Sequence, residues 1–426
     1  MSIGVLRNRR VLVVTLLALV VAVSAFLAGA VFHLKSYWPF GNRYRFMGTA
    51  SQSIEKPVGK YSKTEMTTGI EEIVVETYPL PFRDDGPTGP FAELSNTEFL
   101  VATRLGDLHH VVIGGEAVKS ELLGSFGISE KMLRSGGVKD LLLLTPQTLL
   151  VTMNTYDEKK GCYAIGVFEF AIDIARKSLD QRRKLFESEP CLPASGAKTL
   201  GPNPLGLEES GGRMLRMPDD SILLSVGTMS GLHGGDTGRI LRISLRDGAS
   251  SVFATGVRNP QGLFLDAESG MLFEAEHGPR GGDEINLLQA GKDYGYPKVG
   301  YGTPYGGPYA PPEAEMPADA RFGDHHGYEL PLLAFVPSIG ISNLIRYPSS
   351  GTEFPRWQGD LLVESLRAQS LFRVKLVEGR VVLSEPIPFG EGLRDIALLP
   401  NQSIALKTDN QQLLILSRAK PAVAKN

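Results

Sequence analysis

Short apolar or alternating runs recur along most of this chain, each closed by a turn, and almost none continues as a long amphipathic helix. "LLLLTPQTLLVTM" (141–153), "SILLSVGT" (221–228), "GDLLVESLR" (359–367) and "SLFRVKLVEGRVV" (370–382) are examples. The 48 glycines and 28 prolines are spread along the 426 residues, as punctuation between many strands requires. Only "ISEKMLRSGG" (128–137) reads as a helix, and a short one. Two runs resemble each other: Leu241-Arg242-Ile243-Ser244-Leu245 and Phe372-Arg373-Val374-Lys375-Leu376, each alternating and then turning, as an exposed strand of a repeated sheet would. Repeated strand units in an all-β chain of this length point to a β-propeller, with a large sandwich or two tandem barrels sharing the same spacing. A net charge of −3 gives no basic surface for nucleic acid.

The N-terminus carries a second signal. Arg7, Arg9 and Arg10 precede an uncharged apolar run from Val11 to Leu34, followed by Lys35, Tyr37, Trp38 and Phe40. The run is long enough to span a bilayer, and the arginines hold residues 1–10 in the cytoplasm. The chain therefore reads as a single-pass inner-membrane protein with an anchor at 11–34 and a tether at 35–63. Its periplasmic domain runs from about 64 to 418, ahead of a tail at 419–426. Ala28-Gly29-Ala30 also resembles a signal-peptide cleavage site, which would release the domain. Cys162 and Cys191 lie in no CxxC or Cys/His cluster; a disulfide and two buried thiols both suit an oxidising compartment. His109-His110 and His325-His326 read as surface-loop residues, because neighbours on an extended chain point apart.

Three pieces in fixed order carry a resemblance: "GVRNPQGLFLD" (256–266), "EHGPRGGDEINLL" (276–288) and "GKDYGYP" (291–297). They look like the glucose/sorbosone dehydrogenase family, quinoproteins built as six-bladed β-propellers. Weaker echoes are "GGVKD" (136–140), "SGGRM" (210–214), "FPRWQGDLLVESLRAQSLFRV" (354–374) and "GLRDIALLP" (392–400). The resemblance implies an aldose dehydrogenase that oxidises sugar C1 by hydride transfer to pyrroloquinoline quinone (PQQ), with Ca²⁺ beside the quinone and a base for the C1 hydroxyl proton. It assigns Arg258, Asn259, His277, Arg367 and Arg394 to the cofactor, and the carbonyls of Gly278 and Pro279 to Ca²⁺. The "GPRGGDEIN" segment also reads as a loop folded on itself by Asp283 and Glu284 bonds to backbone amides.

The departures matter as much. Glu209 stands where the family's catalytic His is placed, two residues before the Gly-Gly-Arg, and Gly392 replaces the first Arg of an Arg-x-Arg-Asp. Ser135 replaces a Gln. A carboxylate could still act as base, so Glu209 and Arg258 remain the catalytic candidates. Electrostatics are harsher: two negative units are added beside a trianion, each costing on the order of 2–3 kcal/mol at roughly 6 Å and an effective dielectric near 20. PQQ is then expected to bind weakly or not at all. A non-catalytic propeller that binds a sugar, a glycan or a protein partner in the cell envelope is the alternative; oligomeric state is not legible.

Overall fold

The computed structural model describes residues 59–82, 89–193, 209–229, 234–279, 281–302 and 321–419. The expected anchor at 11–34 lies outside them, and among the described residues no helix is long and apolar enough to cross a membrane.

Six antiparallel sheets form a six-bladed propeller. The innermost strands are Phe91–Glu93, Val138–Thr145, Gly211–Arg216, Asn259–Leu265, Ile341–Arg346 and Leu393–Leu398. Each packs against the next around the axis, and the last touches the first. The sixth blade closes the ring from both ends of the domain, because Glu72–Pro79 pairs antiparallel with Gln412–Arg418. Its outermost strand begins at Ser62, inside the expected tether.

The core is split into six clusters, one between each pair of neighbouring blades. This explains the continuous apolar runs. In Thr148–Asp157, Leu149 and Val151 face the first blade's cluster while Leu150 faces the third blade's, so both faces of the strand are buried. Outer strands read differently: Ser178–Glu187 carries exposed Arg182, Arg183 and Lys184, charges that blunt a sheet edge.

Glu130–Arg134 is the short helix, capped by the Ser129 hydroxyl, which accepts from the Met132 N–H at 3.3 Å. Cys162 and Cys191 form a disulfide within the second blade, where Leu192–Pro193 pairs with the start of Cys162–Asp173.

Three readings are corrected. The runs around Leu241 and Val374 are third strands of the third and fifth blades, and Arg373 is fully buried on Asp360 at 2.7 Å and Glu385 at 2.6 Å. Alternation marked two differently lined faces there, not an exposed one. His325 is buried, 3.2 Å from Glu284 and stacked on Tyr301, while His326 is exposed. His110 is buried within the strand Asp107–Gly114.

Candidate functional site

The inner strands all enter from one face of the propeller, and five of them carry a bulge or register shift near that end. A bulge re-aims side chains, and here three turn onto their own strand. Asp140 accepts from the Leu141 N–H at 2.9 Å, Asn343 from Leu344 at 2.8 Å and Asp395 from Ile396 at 3.2 Å. Arg213 lies across the axis between them. Its Nη1 is 2.8 Å from Asp140 Oδ1 and 3.0 Å from Asp395 Oδ1, and its Nε donates to the Gln261 carbonyl at 2.9 Å. One guanidinium thus ties the second, third, fourth and sixth blades together. Burial pushes the Asp140 carboxyl up to about 6, against the pull of Arg213. Asp140, Arg213 and Asp395 lie in the GGVKD, SGGRM and GLRDIALLP motifs, which carry no local sign that the three side chains meet.

A second cluster surrounds Arg258, just before the fourth blade's inner strand. Arg258 Nη2 is 2.7 Å from Glu209 Oε1, and Nη1 donates to the carbonyls of Gly278 at 3.2 Å and His277 at 3.4 Å. Its backbone N–H donates to Glu276 Oε2, and its guanidinium lies 5.8 Å from the Tyr296 ring centre. The guanidinium is almost fully buried. Burial, then Glu284, push the Glu276 carboxyl up to about 8, and Arg258 opposes this. Burial, followed by Arg258 and Arg394, lowers the His277 imidazole, against Asp283.

The remaining predicted residues occupy the same face. The Asn259 Oδ1 accepts from the Gly211 N–H at 3.3 Å and from Gln261 Nε2 at 2.8 Å. Arg394 pairs through Nε with Asp409. Arg367 is exposed, and its backbone N–H donates to the Ile339 carbonyl at 3.0 Å. Glu209, Arg258, His277 and Gly278 are therefore in direct contact, and Arg367 belongs to the fifth blade, just after the strand Leu361–Ser365.

The 276–297 segment is held differently from expectation. Asp283 Oδ2 accepts from the Gly340 and Ile341 N–H groups at 2.7 and 3.0 Å, stapling the loop to the fifth blade and not to itself. The Pro279 carbonyl accepts from the Gly282 N–H at 3.2 Å and lies 3.5 Å from Ser338 Oγ. A Cβ at Gly278 would collide with the Gly282 carbonyl, so this close approach requires glycine. Both carbonyls assigned to Ca²⁺ thus already accept protein donors, and one of those donors is a full cation.

Between Arg213 and the solvent lies a cavity of about 140 Å³, lined by Arg104, Lys139, Arg213, Gln261, Arg394 and Asp395 among others. It is smaller than the roughly 300–1,000 Å³ typical of cofactor pockets.

This fold and site define a class: six-bladed β-propellers with a polar axial mouth. Residues 89–416 match the Glucose / Sorbosone dehydrogenase family, and the chain belongs to that family. It is 27% identical over 401 residues, 84% of this chain and 91% of the other, to the uncharacterized protein slr1608 of Synechocystis. It is 33% identical to the aldose sugar dehydrogenase YliI of Escherichia coli, over 165 residues that span 38% of this chain and 41% of that enzyme. The apo crystal structure of the soluble aldose sugar dehydrogenase of E. coli superposes with a TM-score of 0.64 at 21% identity, covering 82% of this chain and 100% of that one. The PQQ-bound aldose sugar dehydrogenase of Streptomyces coelicolor gives 0.57 at 19%, covering 85% and 99%. At those identities the structural likeness concerns the fold.

Proposed function

We propose that this chain is a membrane-anchored, periplasmic member of the family whose mouth no longer fits PQQ and Ca²⁺, so that it binds carbohydrate without oxidising it. One observation carries the reading: Arg258 is held at 2.7 Å by Glu209 while donating to the Gly278 carbonyl at 3.2 Å. Its charge is neutralised before a trianion arrives, and Ca²⁺ at that carbonyl would sit beside a guanidinium. Both effects oppose loading, each on the order of a few kcal/mol at contact distance. Arg394 is likewise paired with Asp409. The sugar-dehydrogenase names of the relatives support carbohydrate as the ligand class, and the disulfide supports an oxidising compartment.

The test is dye reduction by the full chain preincubated with PQQ and Ca²⁺ and offered several aldoses. Background rates support the proposal; turnover above background with any aldose refutes it.

A further inference from the structure

We infer that His325 and Glu284 form a proton-operated latch behind the turn from Gly278 to Gly282, one that holds this wall of the mouth and releases it as pH rises. The inference concerns the wall itself and does not depend on what the mouth binds.

Neighbours on the strand Asp283–Leu287 point to opposite faces. Asp283 bonds the fifth blade and Ile285 joins the core cluster shared with it, which leaves Glu284 and Asn286 on the other face. There Glu284 lies directly opposite Glu276 in the antiparallel ladder, and Asn286 opposite Glu274. The three glutamates and His325 are all buried. His325 enters from the segment that follows Arg321–Phe322, a strand paired parallel with Val299–Gly300.

The protons on this histidine follow from its partners. Nδ1 is 3.2 Å from the Glu329 carbonyl, which can only accept, so Nδ1 carries a hydrogen. Nε2 is 3.2 Å from Glu284 Oε1, and a second hydrogen must lie between them. The pair satisfies both contacts only while it holds two protons, as imidazolium with carboxylate or as imidazole with carboxylic acid. Losing one leaves an Nε2 lone pair against a carboxylate, buried where a missing hydrogen bond is costly. The neighbouring charges are committed elsewhere. Lys292 pairs with Glu329 at 2.7 Å, Arg321 pairs with Asp324 at 3.3 Å, and Asp293 accepts from the Gly295 N–H at 2.9 Å, while His326 is exposed.

The latch reaches the mouth through one stack. The Tyr301 ring lies 4.9 Å from the His325 ring, inclined to it by 22°. The next residue, Gly302, packs closely on the turn. A Cβ there would lie 2.9 Å from the Pro279 carbonyl oxygen, and one on Gly282 would lie 2.2 Å from the Gly302 nitrogen. Backbone against backbone leaves no slack, so a shift of Tyr301 passes to the turn whose Gly278 carbonyl accepts from Arg258.

The test is hydrogen exchange of the full chain from about pH 5.5 to 8.5, the range in which imidazoles generally titrate, corrected for the intrinsic pH dependence of amide exchange. It is read at the Gly282 N–H, which donates to Pro279, and at the Glu329 N–H, which donates to Asp293. Protection at both is expected to fall about tenfold as pH rises, beyond any change in the strand Thr148–Asp157. Glu284→Gln donates an amide hydrogen to Nε2 and needs one proton fewer, so it should stay protected at every pH. His325→Phe keeps a ring against Tyr301 but loses both bonds, and should be poorly protected throughout. A flat wild-type profile overturns the latch, and so does a slope that persists in Glu284→Gln. A slope carried by Glu276 would persist there and vanish in Glu276→Gln. Thermal melting checks the fold of each variant, and wild type with Glu284→Gln decides the matter if His325→Phe does not fold.

Discussion

Glu209 and Arg258 lie 49 residues apart in sequence and 2.7 Å apart in space, with Arg258 almost fully buried and Glu209 mostly so. A propeller makes such pairs because the residues ahead of successive inner strands meet around one axis. Here the third and fourth blades each contribute one charge. The pair gives a buried guanidinium its carboxylate partner beside the Gly278 and His277 carbonyls, so it is structural whatever else it does.

Removing the carboxylate should therefore cost stability. Glu209→Ala is expected to lower the unfolding free energy by about 1–3 kcal/mol, since it leaves a buried donor short of its acceptor. Glu209→Gln, which keeps an acceptor oxygen, should lose less. Urea denaturation of both variants measures this, and identical midpoints would show the pair contributes nothing.

The axial clamp is a larger commitment. Arg213→Met leaves Asp140 and Asp395 buried with their shared cation gone, and should destabilise by roughly 3–5 kcal/mol. Adding Asp140→Asn should return part of that loss, because it removes one of the stranded charges. A double variant no more stable than Arg213→Met would contradict the clamp.

Stability should also fall as pH rises from about 5 to 8. Asp140 and Glu276 are raised to about 6 and about 8, and Glu274 and Glu364 are raised as well, chiefly by burial. The folded protein holds protons that the unfolded chain has released, so their contribution is full below the unfolded carboxylate range. It is lost as pH climbs through the folded values. His277, lowered by burial, acts in the opposite sense below its ordinary range. Melting temperatures across this window should decline, and Glu276→Gln should flatten the decline. A rising profile would contradict the assignment.

The disulfide closes a 29-residue separation, worth about 3–4 kcal/mol in the chain-entropy account. The chain should show no reactive thiol even when denatured without reductant, and reductant should lower its melting point. Intact-mass measurement of the native protein checks the N-terminus: a retained Met1 end with membrane fractionation supports the anchor, and a start near Val31 contradicts it.

The apolar runs made the strands legible, because central strands of a propeller bury both faces, and the motif around Arg258 and Gly278 located one wall of the mouth. What pairs across blades was not legible. Asp140 and Asp395 meet on Arg213 from 73 and 182 residues away, a contact created only by ring closure. Asp283 looked like a loop residue bonding its own backbone, and instead bonds the next blade. His325 looked exposed because neighbouring histidines diverge; one of the two diverged inward. The cysteines were undecided because their pairing depends on the two-residue strand Leu192–Pro193 lying against Tyr163 and Cys162.

Equilibrium titration of the Ca²⁺-supplemented full chain with PQQ, beside Glu209→His, tests the central claim most directly. Gly392→Arg is a poorer probe, because a Cβ there would lie 2.5 Å from Asp409 Oδ2 and the new charge would meet a carboxylate at once. The account predicts no saturable binding to the native chain at micromolar quinone. It also predicts measurable uptake by Glu209→His, where Arg258 has lost its carboxylate partner. Sub-micromolar binding to the native chain would contradict it.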